Sequence, residues 1–361
     1  MLGESKCALL TDVCAAYFIH IYMKERIAYI DRLKGFAILL VVIGHVIQFL
    51  YCPDKFDDNA VFRFVYSFHM PLFFVLSGLV TNMKLGRIED LYLKIKSRFF
   101  QLVVPFVFWG GILSLFIIKQ KFFNIFVEPD TSLWFLLVLF EIYVISITTF
   151  YFWGRKTLKQ NSYLFFLLQC LFVYFEIHLL VKISMGLFGL NLVLKYYPYF
   201  VFGLLIKEFK IIHKNKALLD FGLLMSGVLF FIFVYFWYRL PSKVPSDMDC
   251  FTKLLNNHES YRFLTAILGS LFFILLFHHF DNIQDRWLVG LGKITLSIYV
   301  MNYPLIWIFQ IIFGKQVILF ENSIVSLFSV FVIVFLSKYL HSLIIKIKYL
   351  NVLILGYINK K

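Results

Sequence analysis

Lys34 and His45 share one face of an apolar helix predicted for residues 31–49. The two residues are eleven positions apart. At about 100° per residue their side chains point in nearly the same direction, about 16 Å apart along the helix axis. A titratable histidine inside a membrane span is costly unless protein or water surrounds it. His45 is therefore a candidate for proton transfer in a polar cavity, reached from a charged rim at Lys34.

A second histidine, His69, lies about eight residues into the next apolar run, at a depth similar to that of His45. Pro71 deprives a carbonyl near Ser67 of its helical partner, and a membrane tolerates such backbone only where protein or water satisfies it. Two histidines on adjacent antiparallel helices can share one cavity. The alternative for each is structural, with the imidazole bonded to a carbonyl of a packed helix.

The composition predicts an all-α, polytopic membrane helix bundle and excludes a soluble globular protein. Hydrophobic residues make up 61% of the 361 residues and aromatic residues 20%, with a mean hydropathy of +0.82. About ten transmembrane helices are expected from runs long enough to cross the hydrocarbon core. The runs cover residues 33–51, 61–81, 99–118, 132–153, 162–181, 186–206, 217–238, 263–280, 287–313 and 322–345.

The distribution of charge predicts that both termini face the cytoplasm. Lysine and arginine are concentrated in alternate loops, while the opposite loops carry mixed or acidic sequence such as CPDKFDDN at 52–59. The net charge of +14 is then an orientation signal and an attraction to anionic membrane lipid. No nucleic-acid partner is required to explain it.

The sequence predicts that the chain is divided into three segments. Residues 1–25 form an extension of uncertain status, because acidic residues interrupt the pattern of a signal peptide and Met23 is an alternative start to Met1. Residues 26–346 are the membrane domain and residues 347–361 a basic cytoplasmic tail. The five cysteines are scattered without pair spacing, so we expect neither a disulfide framework nor a metal site.

Two motifs together resemble the acyltransferase-3 family of integral-membrane acyltransferases. They are LKGFAILLVVIGH, which contains Lys34 and His45, and SFHMPLFFVLSG, from Ser67 to Gly78. Members of that family usually have arginine at the position of Lys34. Lysine keeps the charge but loses the planar fork that binds phosphate or carboxylate in two places.

The resemblance also implies roles for residues farther along the chain. Arg98 precedes a proline-containing third span and, with Lys34, is expected to bind the phosphates of coenzyme A at the cytoplasmic face. The alternative is ordinary flanking charge. Glu141 follows the family-like segment LWFLLVLF, and a buried carboxylate at this position is expected either to orient a histidine or to be held protonated. In LGKITLSIYVMNYPLIW, many relatives have histidine where this chain has Asn302, which can form hydrogen bonds but cannot transfer a proton.

The function implied is that of a multi-pass O-acyltransferase of a bacterial inner (cytoplasmic) membrane. It would move an acyl group, acetyl above all, from cytoplasmic acetyl-CoA to a carbohydrate acceptor, a hydroxyl of a cell-surface polysaccharide or lipid-linked sugar. His45 and His69 are the expected catalytic residues, supported by the polar residues Ser67, Glu141 and Asn302. His45 would act as general base or carry the acyl group itself. No permanently bound cofactor is expected, since acyl-CoA is a substrate.

Two other functions fit the same residues. In a proton-coupled secondary transporter or flippase, His45, His69 and Glu141 would form a proton relay. In an acyltransferase-like membrane sensor without turnover, Lys34 and Asn302 would be the substitutions that removed activity.

Overall fold

The described part of the chain is helical throughout its regular elements. The computed structural model describes residues 28–51, 56–83, 85–118, 121–127, 133–154, 163–184, 187–213, 215–239, 250–283, 285–313 and 323–356. The predicted N-terminal extension at 1–25, with its two candidate start residues, lies outside these ranges, as does the end of the predicted tail at 357–361.

Within those ranges the chain forms fifteen α-helices. They are α1 (Ala28–Val46), α2 (Ala60–Val80), α3 (Ile88–Arg98), α4 (Val104–Ile112), α5 (Asn124–Val127), α6 (Trp134–Gly154), α7 (Tyr163–Ser184), α8 (Leu190–Glu208), α9 (Lys216–Tyr235), α10 (Cys250–Asn257), α11 (Glu259–His279), α12 (Arg286–Lys293), α13 (Thr295–Phe313), α14 (Ser323–Ile344) and α15 (Lys348–Leu355).

Ten helical segments of the described chain are long and apolar enough to cross a membrane, which confirms the predicted number. The third is longer than predicted, because α3 continues into it and the segment runs over Ile88–Phe116. The ninth is shorter: the run at 287–313 is divided into α12 and α13, since Ile294 leaves helical geometry at φ −112° and ψ 19°. The spanning part is Thr295–Ile312.

Four glycines bring backbones into direct contact around the two histidine-bearing helices. Gly35 of α1 faces Gly292 of α12, and Gly78 of α2 faces Gly203 of α8. A Cβ atom on any of the four would overlap a carbonyl oxygen of the partner helix. Small residues at such crossings let membrane helices pack closely. The positions of α1 and α2 are thus fixed by backbone contact, so the motif residues Gly35 and Gly78 serve packing.

Arg32 ties the start of α1 to the end of α11. Its buried guanidinium donates hydrogen bonds to the carbonyls of Phe280 (2.7 Å), Ile283 (2.6 Å) and Phe277 (3.3 Å), and it pairs with the Asp281 carboxylate at 3.1 Å. The last carbonyls of a helix have no partner within it and carry partial negative charge. Arg32 satisfies the Phe277 carbonyl in the last turn of α11 and two carbonyls just after the helix, and so holds these two helix ends together.

Within the described residues, three π-helical segments interrupt the spans, at Ile47–Tyr51, Phe99–Val103 and Leu113–Ile118. Segments of this kind often occur at functional sites because they shift the direction of side chains. The first begins two residues after His45. We call the side of the bundle where α1 begins the proximal face and the side where α1 ends the distal face.

The described part of the predicted tail packs against the third span. It contains α15, whose Asn351 and Leu355 are buried. Trp109 of α4 donates a hydrogen bond to the Ile354 carbonyl at 3.2 Å, and Gly356 ends the helix at φ 64°, a conformation that favours glycine. This segment is therefore part of the bundle's packing.

Candidate active site

A cavity of about 730 Å³ lies in the distal half of the bundle. Helices α1, α2, α8, α11 and α13 supply most of its walls, and Trp237 and Arg239, which follow α9, line it as well. The cavity brings together three residues predicted from the sequence, His45, Ser67 and His69. Its walls also carry aromatic side chains, namely Phe49, Tyr66, Trp134, Tyr196, Tyr199, Trp237, Tyr299 and Tyr303.

His45 is held by an amide that is itself held by the backbone. The Nδ1 atom of His45 lies 2.7 Å from Oδ1 of Asn302, and Nδ2 of Asn302 donates to the Tyr299 carbonyl at 2.9 Å. A carbonyl can only accept, so the Tyr299 contact fixes which end of the amide faces the histidine. Asn302 thus presents its oxygen to His45.

This arrangement determines the tautomer of a neutral His45. Because Oδ1 of Asn302 is an acceptor, Nδ1 of His45 carries the proton and Nε2 keeps the lone pair. An imidazole that is oriented through one nitrogen and keeps a lone pair on the other is the arrangement of a general base. Asn302, fully buried on α13, therefore orients His45 without transferring a proton.

His69 is oriented in the same way by its own helix. Its Nδ1 atom donates to the Val65 carbonyl at 2.8 Å, four residues earlier, so its Nε2 atom also keeps the lone pair. His69 is almost fully buried, with 3% of its surface exposed, yet it reaches the cavity. His45 lines the same cavity. The cavity thus contains two nitrogen acceptors from adjacent helices.

The Gly-His pair of the first motif has a packing explanation. A Cβ on Gly44 would approach the ring of Tyr66 to 2.8 Å, so glycine leaves room for that ring beside His45. Tyr66 donates a hydrogen bond to Oε1 of Gln48 at 2.6 Å, and its ring meets that of His69 edge to face at 4.7 Å. Tyr66 therefore connects the walls formed by α1 and α2.

The structure places Lys34 and Arg98 away from the cavity. Lys34 lies three turns toward the proximal face, and on the α1 face between it and His45 both Ala37 and Ile38 are fully buried. Arg98 donates to Gln101 at 2.6 Å, and its guanidinium carbon lies 5.3 Å from the centre of the Tyr143 ring. The face joining Lys34 to His45 is therefore packed rather than open.

The two remaining predicted residues differ in position. Ser67 lines the cavity, but its hydroxyl donates to the Phe64 carbonyl at 2.7 Å, which supports the helix one turn before Pro71. Glu141 lies on α6 outside the cavity walls. Its Oε2 atom is buried without a hydrogen-bond partner among the described residues. Glu141 forms a hydrogen bond with neither His45 nor His69, so the predicted orienting role is not supported by the described contacts.

Arg239 is the cavity residue that the sequence reasoning missed most clearly. It follows α9 at the distal face and lines the cavity together with Lys195, Glu259 and Arg262. Basic residues are scarce at the membrane face opposite the lysine- and arginine-rich loops. An arginine at the distal face was therefore the sequence feature that could have indicated a functional role. Its proximity to the histidines depends on how the helices pack, which no local pattern reveals.

The comparison with protein families gives a match over most of the chain. A model described as an acyltransferase domain, that of the acyltransferase-3 family, matches residues 27–343. The chain belongs to the acyltransferase-3 family. This confirms the resemblance carried by the two motifs, and the ten spans confirm a multi-pass membrane protein.

Among curated proteins, this acyltransferase-3 chain is similar to two nodulation proteins. It is 34% identical over 86 residues to nodulation protein NolL of Sinorhizobium fredii, covering 23% of each chain. It is 37% identical over 81 residues to nodulation protein NolL of Mesorhizobium japonicum, covering 22% of this chain and 21% of the relative. The matched segment thus spans less than a quarter of these relatives. No solved structure matches the chain significantly.

Proposed function

We propose that the protein is a membrane O-acyltransferase of a bacterial inner membrane. It takes an acyl group, acetyl in the first instance, from acyl-CoA at the cytoplasmic side and transfers it to a sugar hydroxyl in the cavity. The proximal face, where the basic loops lie, is then cytoplasmic and the distal face is external. The observation that carries the proposal is His45, which lines a large cavity while its Nδ1 atom is held by Asn302, so that the lone pair is on Nε2.

In this reaction His45 acts as the general base. Nε2 removes the proton of the acceptor hydroxyl while its oxygen attacks the thioester carbonyl carbon. The tetrahedral intermediate collapses, the carbon–sulfur bond breaks, and the proton held by His45 passes to the coenzyme A sulfur. The products are the O-acyl sugar and coenzyme A. His69, with its own free Nε2, accepts a hydrogen bond from a second hydroxyl and orients the acceptor.

The donor reaches the cavity from the cytoplasmic side in this proposal. The nucleotide of acyl-CoA stays near Lys34 and Arg98, while its long pantetheine arm carries the thioester inward. Because Ala37 and Ile38 fill the face between Lys34 and the cavity, delivery requires neighbouring helices to separate there. The acceptor enters from the distal mouth. The two substrates thus meet at His45 from opposite sides.

Transfer of labelled acetyl tests the proposal. Membranes containing the wild type, His45→Ala or His178→Ala are given radiolabelled acetyl-CoA, with host glycan present and protein amounts matched. His178 is the control, a histidine of the spanning helix α7 outside the cavity walls. We expect label in glycan for the wild type and His178→Ala but not for His45→Ala. Equal labelling with and without His45 would refute its role.

The same experiment separates the other mechanisms. Label bound to the quenched protein at His45 would identify an acyl-histidine intermediate, whereas direct transfer leaves the protein unlabelled. A proton-coupled transporter would show gradient-dependent flux without consuming acetyl-CoA. Labelling that persists after the proton gradient is collapsed therefore supports the acyltransferase. Flux without label in glycan would support the transporter.

A further inference from the structure

The mouth of the cavity carries a surplus of positive charge. Among its described wall residues Lys195, Arg239 and Arg262 are basic, and Glu259 is the single carboxylate. Charge of one sign at the entrance of a low-dielectric cleft attracts ligands of the opposite sign. Of these three cations, the two arginines carry the planar fork that binds carboxylate or phosphate through two hydrogen bonds, whereas lysine acts as a point charge.

Arg239 is seated on aromatic rings rather than on carboxylates. Its guanidinium carbon lies 5.1 Å from the ring centre of Tyr66, 5.6 Å from that of Phe56 and 6.0 Å from that of Phe62. Ring faces attract a cation without using its N–H donors. No described residue accepts a hydrogen bond from Arg239 or forms an ion pair with it. Stacking on these rings thus orients the Arg239 side chain and leaves its guanidinium N–H groups available to a ligand.

The neighbouring arginines are used differently. Arg262 donates to the carbonyls of Tyr238 (2.8 Å) and Asn256 (3.4 Å), so it holds the chain around the mouth in place. Arg63 stacks on the Tyr238 ring at 4.4 Å and is not part of the cavity wall. Arg239 is therefore the arginine best suited to contact a molecule in the cavity.

Arg239 also lies beside the reacting groups. Tyr66, on which it rests, packs edge to face against His69, and Arg239, His45 and His69 all line the same cavity. Nearby, Trp134 and Tyr196 line the cavity with ring centres 4.9 Å apart. Amphipathic rings of this kind suit the apolar faces of sugars while their polar edges remain wetted. An anion held at Arg239 would place a hydroxyl of the same molecule near the histidines.

We propose that Arg239 forms an anion subsite, which binds a carboxylate or phosphate ester carried by the sugar acceptor. Arginine suits this role because its planar fork binds such groups through two parallel hydrogen bonds. Acidic sugars would thus be favoured over neutral ones. The inference rests on the proposed function, since it names the class of acceptor for the same cavity.

Equilibrium binding tests this without any acyl transfer. The full-length protein in lipid nanodiscs is titrated with trigalacturonate, with maltotriose as a neutral trisaccharide, and with glucose 1-phosphate. Because hydrogen bonds between Arg239 and a carboxylate are charge-assisted, we expect trigalacturonate to bind at least about tenfold more tightly than maltotriose. Glucose 1-phosphate, compared with glucose, shows whether a phosphate ester is accepted as well as a carboxylate.

Variants assign the preference to one side chain. Arg239→Gln is expected to abolish the preference for trigalacturonate, while Arg239→Lys keeps part of it through its charge. Arg63→Gln is the matched control and is expected to keep the preference. Each variant is checked for a single peak in gel filtration and for its melting temperature. Equal binding of the two trisaccharides by the wild type, or a preference unchanged in Arg239→Gln, would overturn the inference.

Failure of this inference is distinguishable from failure of the proposed function. Acetyl transfer confined to neutral acceptors would support the acyltransferase and overturn the anion subsite. Arg239-dependent binding of acidic sugars without acetyl transfer would support the subsite and overturn the acyltransferase.

Discussion

Replacing Asn302 by leucine removes the group that orients His45 and leaves His45 itself in place. Asn302 is fully buried, and its Oδ1 atom lies 2.7 Å from Nδ1 of His45. A buried donor left without its acceptor costs about 1–3 kcal/mol. The imidazole avoids this cost by rotating or by moving its proton to Nε2, and either change removes the base. We expect kcat to fall by about 5- to 150-fold, which is the factor in rate that corresponds to this range of free energy.

Asn302→His is the matched variant. One imidazole nitrogen at this position can accept from Nδ1 of His45 while the other donates to the Tyr299 carbonyl, as the amide does now. The donor and acceptor pattern is kept, so Asn302→His should be clearly faster than Asn302→Leu. The KM for acetyl-CoA should change little in both variants, because neither contacts the donor's nucleotide in the proposed mechanism.

The assay measures initial rates of labelled acetyl transfer by protein reconstituted in liposomes, at saturating acetyl-CoA and with matched protein amounts. Melting temperatures establish that each variant is folded. A wild-type kcat in folded Asn302→Leu would refute the orienting role. So would an Asn302→His variant as slow as Asn302→Leu, since it restores the hydrogen bonds.

Three further predictions concern packing and donor binding. Gly78→Ala should lower the free energy of unfolding by about 1–3 kcal/mol, because its Cβ would overlap the α8 backbone; Gly86→Ala, with open space around it, should not change the melting temperature. Arg32→Ala should cost about 3 kcal/mol in denaturation by detergent or heat, since charged hydrogen bonds to the end of α11 and to the turn after it are lost; unchanged stability would contradict its capping role. Lys34→Gln should raise the KM for acetyl-CoA and leave kcat unchanged; an unaltered KM would place the nucleotide elsewhere.

Much of the fold followed from local patterns. Ten apolar runs of sufficient length predict ten spans, and proline with histidine inside a run indicates a polar cavity. The division at Ile294 was missed although Gly290, Gly292 and Lys293 just before it are residue types typical of a helix end. The helical spacing placed Lys34 and His45 on one face, but whether that face is open depends on the neighbours of Ala37 and Ile38.

The candidate site was predicted only in part. His45 and His69 were located by residue type and position. Asn302 lies 257 residues from His45, and that contact is made by the arrangement of whole helices. For the same reason Arg239 was not linked to the histidines from the sequence. Glu141 was predicted to belong to the site and lies outside it. Its type and depth indicated a polar site, but the sequence does not show which side of its helix faces the cavity.

The rate of acetyl transfer by purified His45→Gln tests the central claim most directly. Glutamine can still donate a hydrogen bond to Asn302, so the helices keep a polar contact there, but it has no nitrogen lone pair to accept a proton. We predict that kcat falls by about 10²- to 10⁴-fold relative to wild type, the contribution of a positioned general base. His178→Ala should remain at the wild-type rate. A folded His45→Gln variant with the wild-type kcat would contradict the assignment of His45 as the catalytic base.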